Sequence, residues 1–559
     1  MALTNHSLTI LHGKDALKLV NGLSSNKVDT LKNNEVASTI ILNKKAKIID
    51  FIQIFSLNKL VIMIGNMINH QNDDLIFLTS EKNEKLSYGE FKIFNEKISR
   101  QLAATNIINS DRAAIVLPNG PLMASSFLSI SSYMSAAPLN PSYKQEEFEF
   151  YLDDLKPKFL LVEPNSKSLA VIAAKNLNIP VFEMKISDNQ PLGTFELFDK
   201  ETNYKNPNDY DEALVLHTSG TTSRPKIVPL SNLNIFTSAV NISKSLKLTT
   251  DDHCLNIMPL FHIHGLIAVL SASAKVGASV CASNGFNALK FLDLAETQNI
   301  TWYSGVPTMH QAILLRAQKN SDKAKKLNLR FIRSSSASLP PAIFEQLNDI
   351  FQTPVIEAYG MTEATHQMAS NPLPPAIQKP GLVGMPAGPE ICIMNDKNEK
   401  LSQGEIGEIC IKGNNVTSGY ENNPEANKQS FVNDWFRTGD EGFFDEDGYL
   451  KISGRLKEII NKGGEKISPL EVDNILMDFP PIDQALCFGY KDKMLGEDIA
   501  VAIKLKENKS CTEDDIKSYA NEKLAKFKIP KKIFIVEDIP KGATGKLQRI
   551  GLAKKFGLE

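Results

Sequence analysis

The sequence predicts an α/β protein with a large N-terminal domain of several sheets, a β-rich subdomain and a small α+β C-terminal domain. Apolar strands alternate with helices from about residue 70, which is typical of buried parallel sheets. Short strands between Gly, Asn and Asp turns follow after about residue 385, and the C-terminal region returns to mixed helices and strands. A chain of 559 residues is also too long for one hydrophobic core, so several cores are expected.

The first 65 or so residues show short elements of their own. Runs at 8–11, 38–42, 48–55 and 60–64 predict strands, and the run at 14–23 predicts a helix. The apolar stretch 48–68 contains Asp50, Gln53, Lys59 and Asn66. A membrane span needs about 20 nearly uninterrupted apolar residues, so buried strands explain this stretch better.

The remainder of the chain carries the alternating elements. The predicted strands are 113–117, 159–162, 180–182, 391–394, 407–411, 449–452, 500–504 and 532–536. The predicted helices are 122–134, 168–177, 470–477 and 512–524. No fixed-period repeat occurs among them, so a repeat architecture is not predicted.

The amino-acid composition and net charge exclude several classes of protein. Hydrophobic residues make up 42% of the chain and charged residues 23%, and the net charge is −2. These values exclude collagen-like and disordered chains. Because the net charge is nearly zero, there is no electrostatic reason to expect nucleic acid or an anionic membrane as the main partner.

Cysteine use and the chain ends predict a cytoplasmic protein. No two of the six cysteines have CxxC spacing, and six in so long a chain do not make a disulfide framework. The N-terminus lacks the basic and apolar regions of a signal peptide. The final residues, Gly-Leu-Glu, do not form a peroxisomal targeting signal.

The segment after the apolar run 214–217 is the most informative in the chain. Five hydroxyl residues, Gly220, Arg224 and Lys226 follow one another closely there. Consecutive hydroxyls and backbone N–H groups can wrap an anion, and the two cations supply countercharge. The segment is not a Walker A loop, which requires GxxxxGK[ST]. Its composition alone fits a polar surface loop equally well.

The order of residues in this loop resembles a known family. Ser219-Gly220-Thr221-Thr222 followed by Pro225-Lys226 is similar to the nucleotide loop of adenylate-forming enzymes, which include acyl-CoA synthetases, luciferases and peptide-synthetase adenylation domains. Six further segments resemble the family's motifs in the family's order: 258–262, 357–363, 435–440, 454–458, 463–469 and 540–546. Seven motifs in order identify the chain, from about residue 70 to its end, as a member.

The resemblance implies an AMP-forming acid–CoA ligase that uses ATP, Mg²⁺ and coenzyme A. It implies a 66–455 large domain, a mobile 456–559 C-terminal domain and a hinge at Lys457. The implied nucleotide-binding residues are Thr218, Ser219, Gly220, Thr221, Thr222 and Lys226 for the phosphates, Tyr359 for adenine, and Asp440 and Arg455 for the ribose. The implied catalytic residues are Lys546, Thr362, Glu363 and His262, with Glu363 also the Mg²⁺ ligand. The implied thioester-forming loop that meets coenzyme A is Gly463, Gly464, Glu465 and Lys466.

These roles suit the chemistry of activating an acid. Attack of a carboxylate on the α-phosphate of ATP gives an acyl-adenylate, whose AMP leaves easily, but the attack crowds negative charges together. The site must therefore supply donors and cations aimed at the developing charge. Lys546 would bridge the carboxylate and the α-phosphate. One glutamate suffices for Mg²⁺, which prefers a few carboxylate contacts together with phosphate oxygens.

Segments around the predicted acid site resemble the oxalate–CoA ligase branch of the family. Arg333 to Leu339 is rich in hydroxyl residues where coumarate and fatty-acid ligases usually carry a small apolar stretch. A long acyl or aryl tail needs an apolar tunnel, whereas a two-carbon diacid needs donors for its second carboxylate. The candidate acid-binding residues are His264, Ser335, Ser336 and His366, with His262 nearby in sequence.

Several alternatives stay open. The chain could be another acyl- or aryl-CoA ligase, a peptide-synthetase adenylation module or a non-catalytic nucleotide-binding relative. A metal site at His253, Cys254, His262 and His264 is disfavoured, because their spacing lacks a compact structural-zinc pattern. A monomer or homodimer is expected.

Two segments depart from the family pattern. Many members have Gly where this chain has Ile227, and a β-branched residue there would be strained if the position needs a positive φ. Residues 1–65 lie outside the resemblance. Parts of them, at 11–16, 23–28 and 41–43, faintly resemble folate-binding aminomethyltransferase-like proteins, but a fragment this short does not imply folate chemistry.

Overall fold

The computed structural model describes residues 36–42, 48–55, 64–218, 225–542 and 545–558. The chain divides between Ile62 and Met63 into two compact units. The predicted strand 8–11, the predicted helix 14–23 and most of the aminomethyltransferase-like fragment lie outside the described residues.

The strands are, in chain order, β1 (Val36–Leu42), β2 (Ile48–Phe55), β3 (Ile76–Thr79), β4 (Lys85–Ser87), β5 (Arg112–Val116), β6 (Ser135–Pro138), β7 (Phe159–Val162), β8 (Val181–Glu183), β9 (Glu212–Thr218), β10 (Lys226–Ser231), β11 (His253–Asn256), β12 (Ser279–Ala282), β13 (Trp302–Gly305), β14 (Phe331–Ser335), β15 (Val355–Met361), β16 (His366–Ser370), β17 (Met385–Pro386), β18 (Glu390–Met394), β19 (Gly407–Lys412), β20 (Phe431–Val432), β21 (Trp435–Phe444), β22 (Leu450–Arg455), β23 (Ile460–Lys462), β24 (Glu465–Ile467), β25 (Ile482–Asp492), β26 (Gly496–Leu505) and β27 (Lys532–Ile535).

The α-helices are, in the same order, α1 (Ile64–Asn69), α2 (Tyr88–Ala103), α3 (Pro121–Ser131), α4 (Gln145–Leu155), α5 (Leu169–Asn176), α6 (Asn232–Ser245), α7 (Ala272–Val276), α8 (Phe291–Thr297), α9 (Pro307–Lys319), α10 (Ser321–Lys326), α11 (Pro341–Phe351), α12 (Pro424–Ser430), α13 (Pro469–Met477), α14 (Glu513–Lys523) and α15 (Leu552–Lys555). A π-helix spans His264–Ser271, and single 3₁₀ turns span Thr362–Ala364, Leu456–Glu458 and Lys526–Lys528.

The first unit contains an antiparallel pair of strands. β1 and β2 pair in the register Thr39↔Ile52, at the positions predicted from sequence.

The predicted strand 60–64 falls mostly outside the described residues, but at Ile64 the prediction is wrong, because α1 begins there. Met67 and Ile68 of α1 are buried in the main core, so tertiary packing decides the structure of this short apolar run.

A six-stranded sheet follows in the second unit, in the order β10-β9-β6-β5-β7-β8. Its strands are parallel except for the antiparallel pair β9 and β10. Every residue of Phe159–Val162 is buried, as expected for a strand covered on both faces. The helix that follows β7 begins where the sequence predicts, because the Ser168 hydroxyl accepts the Ala170 N–H and caps α5.

A nine-stranded sheet positions the candidate site. Its order is β17-β16-β15-β14-β13-β11-β12-β3-β4, and β15, β14, β13, β11, β12 and β3 run parallel. Ser304 of β13 pairs in register with Arg333 of β14. The carboxyl ends of these strands therefore bring polar side chains to one edge, where open α/β sheets bind ligands.

The remaining sheets match the predicted β-rich subdomain and C-terminal domain. β18 to β22 form an antiparallel five-stranded sheet, and β23 to β27 form a second five-stranded sheet with α13 and α14 packed nearby. Thr512 caps α14 through a reciprocal hydrogen-bond pair with Asp515.

The predicted fold class is confirmed, while the domain boundaries at 65/66 and 455/456 stay predictions. No helix among the described residues is long and apolar enough to cross a membrane.

The backbone conformation at Ile227 shows whether this position needs a positive φ. Ile227 lies in β10 opposite His217 and is absent from the positions with positive φ. An extended backbone suits a β-branched residue. Position 227 therefore does not require a positive φ, and the strain expected under that condition does not arise.

Candidate active site

The phosphate-loop residues lie between two paired strands. Thr218 ends β9 and Lys226 begins β10, and the two residues are register partners. Ser219, Gly220, Thr221 and Thr222 lie outside the described residues. The Lys226 ammonium stands 4.1 Å from the centroid of the Tyr420 ring, and burial lowers the pKa of this lysine.

The predicted metal ligand follows β15. Thr362 and Glu363 form a 3₁₀ turn, and Glu363 is 6% exposed. Its Oε1 accepts a hydrogen bond of 2.7 Å from the Tyr420 hydroxyl, and Oε2 accepts none from any described residue. A buried carboxylate with one oxygen uncommitted fits the hard-oxygen preference of Mg²⁺.

The predicted nucleoside residues meet across two sheets. Tyr359 of β15 donates its hydroxyl hydrogen to Oδ2 of Asp440 in β21, and Arg455 of β22 lies 3.2 Å from Oδ1. Burial raises the pKa of Asp440, and the Arg455 charge opposes that rise. Tyr359, Asp440 and Arg455 are therefore brought together as the sequence predicts.

The predicted catalytic lysine reaches this group from the C-terminal region. Residues 543–544 lie outside the described residues, and the Gly545 carbonyl accepts a hydrogen bond of 2.8 Å from Thr308 of α9. Burial lowers the pKa of Lys546 to about 8, and the Arg455 charge adds to that effect, while Asp440 and Glu363 oppose it. These charges act on Lys546 only because it lies among them.

A second buried cluster lies beside Lys546. The π-helix places His264 in the core with no exposed surface; π-helical turns often occur at functional sites. His264 Nε2 is 2.6 Å from Ser304 Oγ, and Nδ1 is 3.1 Å from Ser336 Oγ. The ring of His366 is 4.9 Å from that of His264.

The hydrogen bonds of Arg333 fix the tautomer of His264. The Arg333 guanidinium, fully buried, lies 3.4 Å from His264 Nε2 and donates to Ser304 Oγ at 3.2 Å. A guanidinium can only donate, so Nε2 is the acceptor and Nδ1 carries the hydrogen. His264 thus donates to Ser336, whose own hydroxyl hydrogen is left to bind a ligand.

His366 is the least satisfied residue of this cluster. It is 1% exposed, and neither ring nitrogen has a hydrogen-bond partner among the described residues. Burial lowers its pKa well below the usual value, with the charge of Arg333 the next cause, so the ring is neutral with one donor and one acceptor. Gly360 makes its placement possible, because a Cβ there would lie 2.0 Å from the His366 carbonyl oxygen.

His262 also belongs to the site. Its Nδ1 accepts the His264 backbone N–H at 3.2 Å. Burial lowers the pKa of His262 to about 3, and the positive charge of Lys546 contributes. The histidine is therefore neutral near pH 7, and because its Nδ1 accepts a hydrogen bond, its Nε2 carries the hydrogen and can donate it.

Family matches cover most of the chain. AMP-binding enzymes match residues 68–421, and the C-terminal domain of AMP-binding enzymes matches residues 471–546. The chain belongs to the AMP-binding enzyme family. The resemblance to adenylate-forming enzymes predicted from the motifs is thereby confirmed.

Several AMP-binding enzymes are similar over most of their length. An oxalate–CoA ligase from Arabidopsis thaliana is 46% identical, over 82% of this chain and 91% of the relative. An oxalate–CoA ligase from Saccharomyces cerevisiae is 41% identical, over 80% of this chain and 88% of the relative. ATP-bound MatB from Rhodopseudomonas palustris superposes with a TM-score of 0.80 at 26% identity, over 89% of this chain and 99% of that one. O-succinylbenzoate coenzyme A synthetase from Bacillus subtilis, with ATP and magnesium, superposes with a TM-score of 0.75 at 28% identity, over 87% and 98%.

Two groups of predicted residues stand apart from this AMP-binding site. Ser335 donates its hydroxyl hydrogen to the Ala358 carbonyl of the next strand, so it is committed to the sheet. Gly463 and Gly464 form the exposed turn between β23 and β24, and the exposed Glu465 and Lys466 begin β24. Among the described residues, no hydrogen bond or ion pair joins that turn to Lys546 or to the histidine cluster.

Sequence reasoning missed Arg333, Ser304 and Tyr420. A signal for Arg333 existed, because a charged residue inside an apolar parallel strand needs a reason to be buried. Ser304 and Tyr420 carry no such signal. The disfavoured metal site does not assemble either, since no group of three or more His, Cys, Asp or Glu side chains in the described part of the chain is placed to hold a metal.

Proposed function

We propose that oxalate is the acid that this AMP-forming acid–CoA ligase activates. The observation that carries the proposal is His366, a buried neutral histidine whose two ring nitrogens have no partner in the described part of the chain. Buried polar groups are rarely left unpaired without a functional reason. A small, highly charged acid would supply that partner, and the two oxalate–CoA ligase relatives support the same substrate.

Backbone strain supports a binding role for two of the candidate residues. Ser336 has φ of +74° and His366 has φ of +92°, although neither is glycine. Such conformations cost about 1–3 kcal/mol each and persist mainly at functional sites. Both strained residues lie in one cluster with His264 and Arg333, so the strain is concentrated where we place the distal carboxylate.

The proposed adenylation step uses these groups as donors and charges. Ser336 and His366 hold the distal carboxylate, and the neighbouring Arg333 charge stabilises it. Lys546 bridges the reacting carboxylate oxygen and the α-phosphate, and its positive charge offsets the charge that develops during attack. Glu363 would hold Mg²⁺, which neutralises phosphate oxygens when bound. Diphosphate leaves, and the thiol of coenzyme A later displaces AMP from the oxalyl-adenylate.

All six cysteines are free thiols, which supports a reducing, cytoplasmic setting.

The test is CoA-dependent AMP formation with a panel of oxalate, malonate, coumarate and octanoate, with the thioester identified by mass spectrometry. We expect oxalate to give the highest kcat/KM and oxalyl-CoA as product. A better coumarate or octanoate rate would assign the chain to the aryl- or acyl-CoA alternative. No AMP with any acid, from folded protein, would favour the non-catalytic alternative.

Paired serine variants locate the acid. Ser336→Ala should raise the KM for oxalate about tenfold, the effect of losing one hydrogen bond to a charged group, and leave the KM for ATP unchanged. Ser335→Ala is the matched control, since its hydroxyl is bonded to Ala358. Equal effects of the two substitutions would contradict the placement of oxalate at Ser336.

A further inference from the structure

Tyr420 touches two charged groups that are predicted to hold ATP and its metal. Its side chain is 6% exposed. The hydroxyl donates to Glu363 Oε1 at 2.7 Å, and the Lys226 ammonium lies 4.1 Å from the centroid of the ring. One aromatic side chain therefore contacts the proposed metal ligand through its edge and the phosphate-loop lysine through its face.

The backbone around Tyr420 is fastened on both sides. Its N–H donates to Asn427 Oδ1 at 2.7 Å, and its carbonyl accepts from Asn427 Nδ2 at 2.8 Å. The segment also spans the two strand ends that carry the charged groups. Thr417 N–H donates to the Glu363 carbonyl at 2.7 Å, and Glu421 N–H donates to the Ile227 carbonyl at 3.1 Å. Tyr420 is thus held by hydrogen bonds that do not involve the two charged side chains it touches.

Lys226 and Glu363 would otherwise be natural partners. Their opposite charges attract, and Glu363 raises the pKa of Lys226 against the effect of burial. No ion pair within 4.0 Å joins them in the described part of the chain. A direct ion pair would neutralise both groups before the nucleotide arrives, and breaking it would weaken binding.

We propose that Tyr420 is a positioning residue that keeps Lys226 and Glu363 apart and aims each at its own ligand. The hydroxyl holds Oε1 of Glu363, which leaves Oε2 for the divalent cation. The ring holds the Lys226 ammonium by a cation–π contact, which leaves the N–H donors that point away from the ring for phosphate oxygens. The inference concerns the nucleotide site and is independent of which acid the enzyme activates.

Two substitutions separate the two contacts. Tyr420→Phe removes the hydroxyl and keeps the ring, so it should weaken the metal contact alone. We expect Mn²⁺ affinity, measured by EPR on the enzyme with α,β-methylene-ATP, to fall about tenfold. The affinity for α,β-methylene-ATP in EDTA, measured by calorimetry, should stay unchanged. Tyr420→Leu also removes the ring, and it should lower the affinity in EDTA as well.

Tyr449→Phe is a closely matched control. Tyr449 is 5% exposed, its hydroxyl donates to the Ile377 carbonyl at 2.7 Å, and Lys379 lies 4.6 Å from its ring centroid. The control should leave both affinities unchanged. The proposal is overturned if folded Tyr420→Phe binds Mn²⁺ like the wild type. It is also overturned if Tyr420→Phe and Tyr449→Phe change the two affinities alike, because that would indicate a general packing effect.

Discussion

Arg333 illustrates how a single side chain sets the electrostatics of the buried histidine cluster. Its guanidinium is fully buried, and no carboxylate among the described residues pairs with it. Burial lowers its pKa to about 9. A buried charge without a counter-ion costs stability, so a protein keeps it only where it serves binding. Burial lowers the pKa of His264 and of His366 well below the usual value, and the Arg333 charge adds to that effect.

Replacing this charge should separate stability from function. Arg333→Met should change the free energy of unfolding by less than about 1 kcal/mol, because relief of the buried charge offsets the lost hydrogen bonds. The kcat/KM for oxalate should fall at least about tenfold, which corresponds to about 1.4 kcal/mol. Chemical denaturation and initial rates measure the two effects. Arg330→Met should show the reverse pattern, since Arg330 pairs with the buried Asp252 at 2.9 Å. A destabilised Arg333→Met with normal kinetics would contradict this account.

Loss of the Lys546 proton should lower the rate of catalysis at high pH. Its pKa of about 8 means that the ammonium loses its proton as the pH rises through that value. Adenylation needs the charged form, so kcat/KM should fall above about pH 8. Lys546→Arg keeps its charge at every accessible pH, so this variant should be slower but should lack the basic limb. Adenylation rates across pH test this, and a basic limb shared by both proteins would assign the titration to another group.

At the scale of elements, the 3₁₀ turn Leu456–Glu458 joins the sheet of β18 to β22 to the sheet of β23 to β27. Glu458 pairs with Arg549 at 3.0 Å, and Arg549 pairs with Asp473 at 2.8 Å. The C-terminal side of the turn is therefore tied, through Arg549, to α13 and to the chain just after Lys546. The exposed Gly463–Gly464 turn joins β23 and β24 of the C-terminal sheet. We propose that rotation at Lys457 exchanges Lys546 for the glycine turn as one rigid body.

Two substitutions should split the half-reactions. Lys546→Ala should abolish adenylate formation and still convert supplied acyl-adenylate to acyl-CoA. Lys457→Pro should do the reverse, because proline is tolerated in the first turn of a helix but fixes φ and blocks rotation. Half-reaction assays on both proteins measure this. Equal loss of both steps in folded Lys546→Ala would exclude the two-conformation account.

At the scale of the whole molecule, the chain combines a family enzyme with an extra N-terminal unit. The boundary between the compact units at Ile62 and Met63 lies just before residue 68, where the family match begins. The candidate site is drawn entirely from the second unit. Catalysis therefore should not depend on the first unit.

A chain that starts at Met63 should fold and retain ligase activity. We expect its KM values for ATP and coenzyme A to lie within about twofold of the full chain, since every proposed ligand-binding residue is kept. Steady-state kinetics and nucleotide calorimetry on both proteins provide the comparison. A folded truncated protein that binds no ATP would show that the first unit contributes to the nucleotide site.

The sequence by itself determined the fold class, the family and the order of the nucleotide motifs, because strand periodicity and loop chemistry are local. The strand Phe159–Val162 and the caps at Ser168 and Thr512 lie where such local signals place them. Only the tertiary structure decided that Arg333 meets His264, that Tyr420 contacts both Glu363 and Lys226, and that Ser336 bonds to His264 while Ser335 bonds to the Ala358 carbonyl. These contacts join residues far apart in the chain, and they depend on sheet register and on close backbone approach, which no local pattern records.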